Sequence, residues 1–581
     1  MQLARNAVSS RTVIAFAVGA AALFAGWLVS LLLPGYLVYL ATTAIVATIS
    51  LIGLGIVTGT AGMIVLCQLT FAAVGAWIVS WLNVVQAPGG LLLWVVAGGV
   101  VSGLAGTVIG LPALRLRGVN LAVVTLGFAA AADLTLVKTQ FPGAVNGTKI
   151  PRPELFNTDR AYFFLTFIVL VALSLAVYFL QKSRWGSSWR SVAFSERGTA
   201  SAGSSVRIAK LTAFAASSSI AGVAGGLMAG QVSTAFPSGF TTLQSLALYV
   251  LSIVAGAHLL EMALFGGVLW VLIPELLKRW GIPQDWGLVV FGAMGIQALT
   301  SNSTLGQDIR NALLRRKQSK SGPATVLLPY LSEETPEAPV RAAVEGKVLL
   351  RVENLTVEFG RIKALQNVNM TLPEGTIVGL IGPNGAGKST FVDAVSGFLP
   401  QHTGEVWLGD DRLNDLAPHQ RARVGLRRTF QQDRVPPSLT VYEYMNFIAR
   451  GNASRQEIMD ILHSFGCPGP GVRISNVDVG TRRIVEVAAN IAARPRLLIL
   501  DEPAAGLSHE EHLAFGQRLR QIPQRYGTAI LIIEHDLDLV RSVCQYITVL
   551  DFGEVLASGE QEKVLSDPKV LKAYMGETEL I

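Results

Sequence analysis

The stretch Gly382-Pro383-Asn384-Gly385-Ala386-Gly387-Lys388-Ser389-Thr390 directly follows the apolar run Thr376–Ile381. A short apolar strand, a G-x-x-x-x-G-K-S loop and then a helix form the context in which such a loop holds phosphate. The glycines let successive backbone N–H groups converge on phosphate oxygens, aided by the amino terminus of the following helix. Lys388 reaches the outer phosphates and Ser389 offers a hydroxyl to Mg²⁺. The reading is a nucleotide site in an α/β domain.

Downstream, the strand Leu497–Leu500 ends in Asp501-Glu502-Pro503. Two adjacent acids at a buried strand end divide the work: Asp501 holds Mg²⁺ and Glu502 polarises the attacking water. A third apolar strand, Ala529–Ile533, delivers Glu534-His535-Asp536. There His535 is placed to contact the γ-phosphate. The α/β domain is predicted over 347–581. A hydrophilic connector with Pro323, Pro329, Pro336 and Pro339 precedes it over 304–346.

Upstream, the material changes. The first 303 residues carry 16 Lys/Arg and 7 Asp/Glu, and no Asp, Glu, Lys, Arg or His falls between Arg11 and Arg115. A globular domain needs a wetted face and cannot absorb such a run, whereas a bilayer takes roughly 20 residues per helical span. Mean hydropathy is +0.47 over 581 residues, with 51% hydrophobic and 15% charged positions. These values exclude a wholly soluble, a disordered or a disulfide-stapled secreted protein. Residues 1–303 are therefore predicted as a polytopic all-α membrane domain of about 8–10 spans. The candidates are Thr12–Leu33, Tyr36–Val57, Met63–Leu82, Leu91–Leu111, Asn120–Val137, Ala161–Leu180, Leu211–Val232, Thr242–Ala257, Met262–Leu277 and Trp286–Thr300.

Charge sets the orientation. With the amino terminus inside, Arg115/Arg117, the basic Lys182–Lys210 loop and the tail from Arg310 to Lys320 all face the cytoplasm. Lys278 and Arg279 fall outside, within pairing distance of Glu275 on one helix. The net +7 comes from this basic apolar half, which argues for a membrane surface and against nucleic acid. Asp133, inside a span, is either a pathway residue or a structural partner. Cys67, Cys467 and Cys544 have no paired spacing and read as small buried hydrophobes.

The loop at Gly382, Gln431 within Arg-Thr-Phe-Gln, Asp501-Glu502 and His535 resemble the ordered motifs of ABC-transporter ATPases. The resemblance implies ATP and Mg²⁺ as ligands. It also implies that Phe359 stacks on adenine, and that Gln431 touches the metal site and couples nucleotide state to the membrane domain. Glu502–Leu507 and Val549–Gly553 are similar to the branched-chain amino acid subfamily. Leu114–Phe128, Ser183–Gly186 and Pro274–Leu277 are similar to permeases of the same importers. One permease fused to one ATPase implies a second permease subunit, a second ATPase subunit and an extracytoplasmic solute-binding protein, all at the cytoplasmic membrane. Importers of urea, amides or small organic acids, and a non-transporting ABC sensor module, remain alternative readings. Three departures stand out. Ala200-Ser-Ala-Gly203 lacks the acid usual in the loop that docks on the ATPase. Ala255-Gly-Ala-His258 replaces a Gly-rich stretch. Val477-Asp478-Val479-Gly480-Thr481 occupies the place of the Leu-Ser-x-Gly-Gln signature.

Overall fold

The computed structural model describes residues 2–113, 116, 118–300, 347–507 and 509–575. The described residues divide into two compact units: one from 2–189 and 207–300, the other from 190–206 and 347–575. The connector expected over 304–346, the basic tail within it, and Arg115 and Arg117 lie outside the described residues.

The first unit is helical because a bilayer leaves backbone polar groups no partner except their own chain. Its helices are α1 (Gln2–Leu32), α2 (Gly35–Leu54), α3 (Gln68–Val84), α4 (Gly90–Ala113), α5 (Val119–Thr139) and α6 (Asp159–Lys182). Then come α7 (Arg184–Phe194), which runs into the second unit, and α8 (Glu196–Ser201), which belongs to it. The last four are α9 (Val206–Val232), α10 (Thr242–Ala255), α11 (Leu260–Arg279) and α12 (Trp286–Thr300). Eight described helices are long and apolar enough to cross a membrane, and Gln68–Val84 and Trp286–Ala298 are shorter apolar ones. The eight fall at the lower end of the 8–10 spans expected from the sequence. Glycine sets the close approach of α3 to α9. A Cβ on Gly225 would be driven into the Ala72 carbonyl, and one on Gly75 into that of Gly222, the small-residue contact by which membrane helices pack.

Two local expectations change. The third span begins at Gln68 rather than Met63, because α2 continues as a π-helical turn over Gly55–Thr60 and the chain then runs irregularly to Cys67. Side chains from other helices satisfy this irregular backbone. Leu66 N donates to Thr125 Oγ1 at 3.1 Å, and Ser245 Oγ donates to Leu66 O at 2.8 Å. Asp133, left open above, has a partner on another helix. Its Oδ2 accepts from Thr242 N (2.9 Å) and Thr242 Oγ1 (3.1 Å) at the start of α10. The two basic residues that fit the topology poorly are locally engaged. Arg279 lies 3.7 Å from Glu275, and Lys278 stands over the Tyr36 ring at 6.0 Å.

The second unit is an α/β domain with two sheets. The first is antiparallel, in the order β2 (Ile362–Pro373), β1 (Val348–Phe359), β4 (Thr403–Leu408), β5 (Asp411–Arg412). The second runs β10 (Glu554–Glu560), β9 (Tyr546–Asp551), β3 (Ile377–Ile381), β8 (Ala529–Ile533), β7 (Leu497–Asp501), β6 (Leu426–Arg428). Every pairing in the second sheet is parallel except β10 with β9. All residues of β3, β7 and β8 are buried, which is why they read as continuous apolar runs rather than alternating ones. Leu380 pairs with Ile533, and Ile533 with Asp501. That register brings three strand ends level at one edge of the sheet, where open α/β folds place their ligands.

Candidate functional site

The phosphate-type loop leaves β3 at this edge and enters the helix Lys388–Val395. Two glycines have no substitute. Gly387 holds φ +101°, and a Cβ there would lie 2.7 Å from Ala364 O; on Gly382 a Cβ would meet the Leu550 carbonyl. Asn384, Gly385 and Ser389 are exposed, Pro383 and Thr390 are half-buried, and Ala386 is buried. Lys388 Nζ donates to the loop's own Gly382 O (2.6 Å) and Pro383 O (2.9 Å). Burial lowers the Lys388 ammonium below its ordinary value, against the pull of Glu502 and Asp501.

The acids stand opposite. Asp501 Oδ2 accepts from Arg428 at 3.0 Å. Burial raises its carboxyl, and Arg428 opposes the rise. Glu502 sits just past the strand with φ +47°, a strained setting for a side chain and one that concentrates at working sites. Its Oε2 accepts from Gln431 Nε2 at 2.8 Å. The structure thus brings Lys388, Asp501, Glu502 and Gln431 together. His535 lies two residues past the end of β8 with an exposed ring, its Nδ1 3.7 Å from the buried Glu534. Phe359 closes β1 and is 53% exposed; the turn after it leads into β2, whose Ala364–Leu365 back Gly387 and Gly553. The donor set of Ser389 hydroxyl, Gln431 amide oxygen and Asp501 carboxylate consists of hard oxygens, which suits Mg²⁺. An ammonium facing a loop with no room for side chains suits phosphate.

Sequence reasoning missed the arginines. Arg483 donates to the carbonyls of Phe430 and Gln431 and so pins the backbone that aims Gln431. Arg482 joins Asp433 at 3.0 Å. Both lie on the helix Val479–Ala492, which Asp478 caps by accepting from Thr481 N at 2.8 Å. The Arg-Arg pairs at 427–428 and 482–483 were the available signal: charge is rare in a core, so paired arginines beside buried runs need acceptors.

The segment 190–206 docks without the acid whose absence at Ala200–Gly203 was noted above. Three guanidinium groups instead take main-chain and hydroxyl oxygens: Arg427 binds Ser201 O (3.2 Å), Arg423 binds Gly203 O (2.9 Å) and Arg450 binds Ser204 Oγ (2.9 Å). Arg190 adds an ion pair to Glu443 at 3.4 Å. Cations suit the carboxyl end of α8.

Beneath this segment Glu486 is buried, and burial pushes it up to about 8 against the pull of Arg483. A carboxyl held above its unfolded value stabilises fully below about 4.5, and the contribution is lost as pH rises through about 8. Glu486→Gln, which stays neutral, is therefore expected to flatten the pH dependence of unfolding of the ATPase domain. Against the parent at about pH 8.5, Tm should rise by roughly 4 °C or more. Parallel Tm–pH curves for parent and variant would sink this.

Comparison with known proteins follows the same division. Residues 36–299 match the family described as branched-chain amino acid transport system / permease component, and residues 365–505 match ABC transporter. The high-affinity branched-chain amino acid transport ATP-binding protein LivG of Escherichia coli K12 is 34% identical over 255 residues, covering 39% of this chain and 98% of LivG. BraF of Pseudomonas aeruginosa, a protein of the same description, is 33% identical over 253 residues, 40% of this chain and 99% of its own length. A crystal structure of an ABC transporter's ATP-binding cassette in its ADP conformation is 28% identical with a TM-score of 0.36, covering 40% of this chain and 99% of the cassette.

Proposed function

The chain belongs to the branched-chain amino acid transport family of ABC transporters, with permease and ATPase domains in one polypeptide, and on that premise we propose that it serves as one permease and one ATPase subunit of an importer of branched-chain or other small hydrophobic amino acids. It is a multi-pass membrane protein with its ATPase domain in the cytoplasm. A second permease, a second ATPase and an extracytoplasmic binding protein complete the assembly.

In this proposal Gly382 to Thr390 cradle the phosphates, Phe359 lies against adenine, and Ser389, Gln431 and Asp501 hold Mg²⁺. The ion, when bound, offsets charge on the phosphates. Lys388 leaves its own loop carbonyls to meet the outer phosphates. Glu502, oriented by Gln431, polarises the attacking water, and His535 steadies the γ-phosphate. The carrying observation is that 190–206, continuous in the chain with the apolar helices α6 and α9, packs into the ATPase unit through four arginines. Movement of the ATPase thus has a covalent route to the spans.

The test is ATPase activity in the reconstituted transporter, with the binding protein loaded in turn with leucine, isoleucine, valine, urea or an amide. Branched-chain amino acids should stimulate turnover several-fold and be taken up. Stimulation by urea or amides alone would move the substrate class. Ligand-independent turnover with no flux would favour the sensor module.

A further inference from the structure

Segment 190–206 and the nucleotide crevice are joined by a line of four charged side chains. Arg197 on α8 lies 3.4 Å from Asp393. Asp393, on the helix that follows the phosphate loop, is bonded to Arg428. Arg428, at the end of β6, is 3.0 Å from Asp501. Side-chain exposure falls from 52% at Arg197 to 4% at Arg428. Ser396 Oγ at 3.1 Å and the Phe430 ring at 4.8 Å hold Arg428 on its remaining sides. It is therefore confined to sharing itself between its two acids.

We propose that Arg197, Asp393 and Arg428 are positioning residues that set how readily Asp501 is released to the metal, according to whether 190–206 is docked. The inference rests on the assignment of Asp501 to Mg²⁺ made above. A carboxylate that serves two cations binds each less firmly. With Arg197 in place, Asp393 is divided and Arg428 leans on Asp501. When Arg197 withdraws, Asp393 claims Arg428, and Asp501 is freed with one less positive charge nearby. The docking state of the segment thereby reaches the metal site by a route separate from Gln431.

Mn²⁺ binding to the full chain in lipid nanodiscs, with a non-hydrolysable ATP analogue and EPR detection, tests this without turnover. Arg197→Ala should tighten Mn²⁺ on the order of two- to fivefold, and Arg197→Lys should return it toward the parent. Asp393→Asn should weaken Mn²⁺ by roughly fivefold, since Arg428 then rests wholly on Asp501. The double variant should match Asp393→Asn alone, because Arg197 acts only through Asp393. Parental affinity in Arg197→Ala, or a double variant equal to the sum of its singles, would overturn the relay while leaving the metal site standing. A parent that binds no Mn²⁺ would remove the metal-site assignment and the relay together.

Discussion

Glu502→Gln is expected to cut ATP turnover at this chain's own site by roughly 10²- to 10⁴-fold, the usual contribution of a positioned general base. Nucleotide should still bind. The amide keeps the size of the side chain and can keep the contact with Gln431 Nε2, now 2.8 Å from Oε2, but it cannot take a proton. The φ of +47° at Glu502 is a backbone cost of the kind that concentrates at working sites. Lys388→Ala should fail differently. It removes the cation that now rests on Gly382 O and Pro383 O, so affinity for ATP falls first. The measurement is single-turnover hydrolysis beside fluorescent-nucleotide binding, in an assembly whose other ATPase has its own acid neutralised. Normal turnover of Glu502→Gln there would show that the proton goes elsewhere.

The parts that were legible in the sequence are those where one short segment carries the physics. β3, β7 and β8 are buried throughout, so a short, almost wholly apolar run leading into glycine or acid suffices to mark each. The spans were legible for a similar reason: hydrocarbon tolerates only closed backbones, and 103 uncharged residues between Arg11 and Arg115 allow little else. What stayed hidden depends on partners far apart in the chain. Arg428 meets Asp393 and Asp501 across 35 and 73 positions, and no local pattern announces such a triad. The break at 61–67 reads as part of an apolar span, because the groups that make it possible, Thr125 and Ser245, come from α5 and α10. The means by which the docking segment is held was also hidden. Where an acid was missing at Ala200, the contact was kept by main-chain carbonyls, and these exist at every residue and leave no trace in the sequence.

Asp478→Ser is the second large effect expected, and it falls at the other ATP site of the assembly. With the second ATPase proposed above, the resemblance to ABC ATPases implies that each nucleotide would be held between one domain's phosphate loop and the other domain's signature segment, to which this chain would contribute Val477–Thr481. Asp478 is exposed and caps the helix Val479–Ala492. Burial would raise its carboxyl, but hydrogen bonds from Thr481 outweigh that and hold it below the ordinary value, so it is ionised at neutral pH. An ionised carboxylate can only accept, where a serine hydroxyl would donate to the γ-phosphate. Two like charges about 4 Å apart cost on the order of 1–4 kcal/mol at effective dielectrics of 80 to 20, so closure around ATP on that side is expected to be slowed by roughly fivefold or more. Serine is the clean replacement because it caps helices about as well as aspartate: the helix is kept, the charge removed and a donor added. With Glu502→Gln silencing this chain's own site, Asp478→Ser should raise the remaining turnover about tenfold, while Asp478→Asn, which caps but offers only an amide, should fall between. If the opposite site already turns over fully in the parent and serine leaves it unchanged, Asp478 is a helix cap and the two sites are equal.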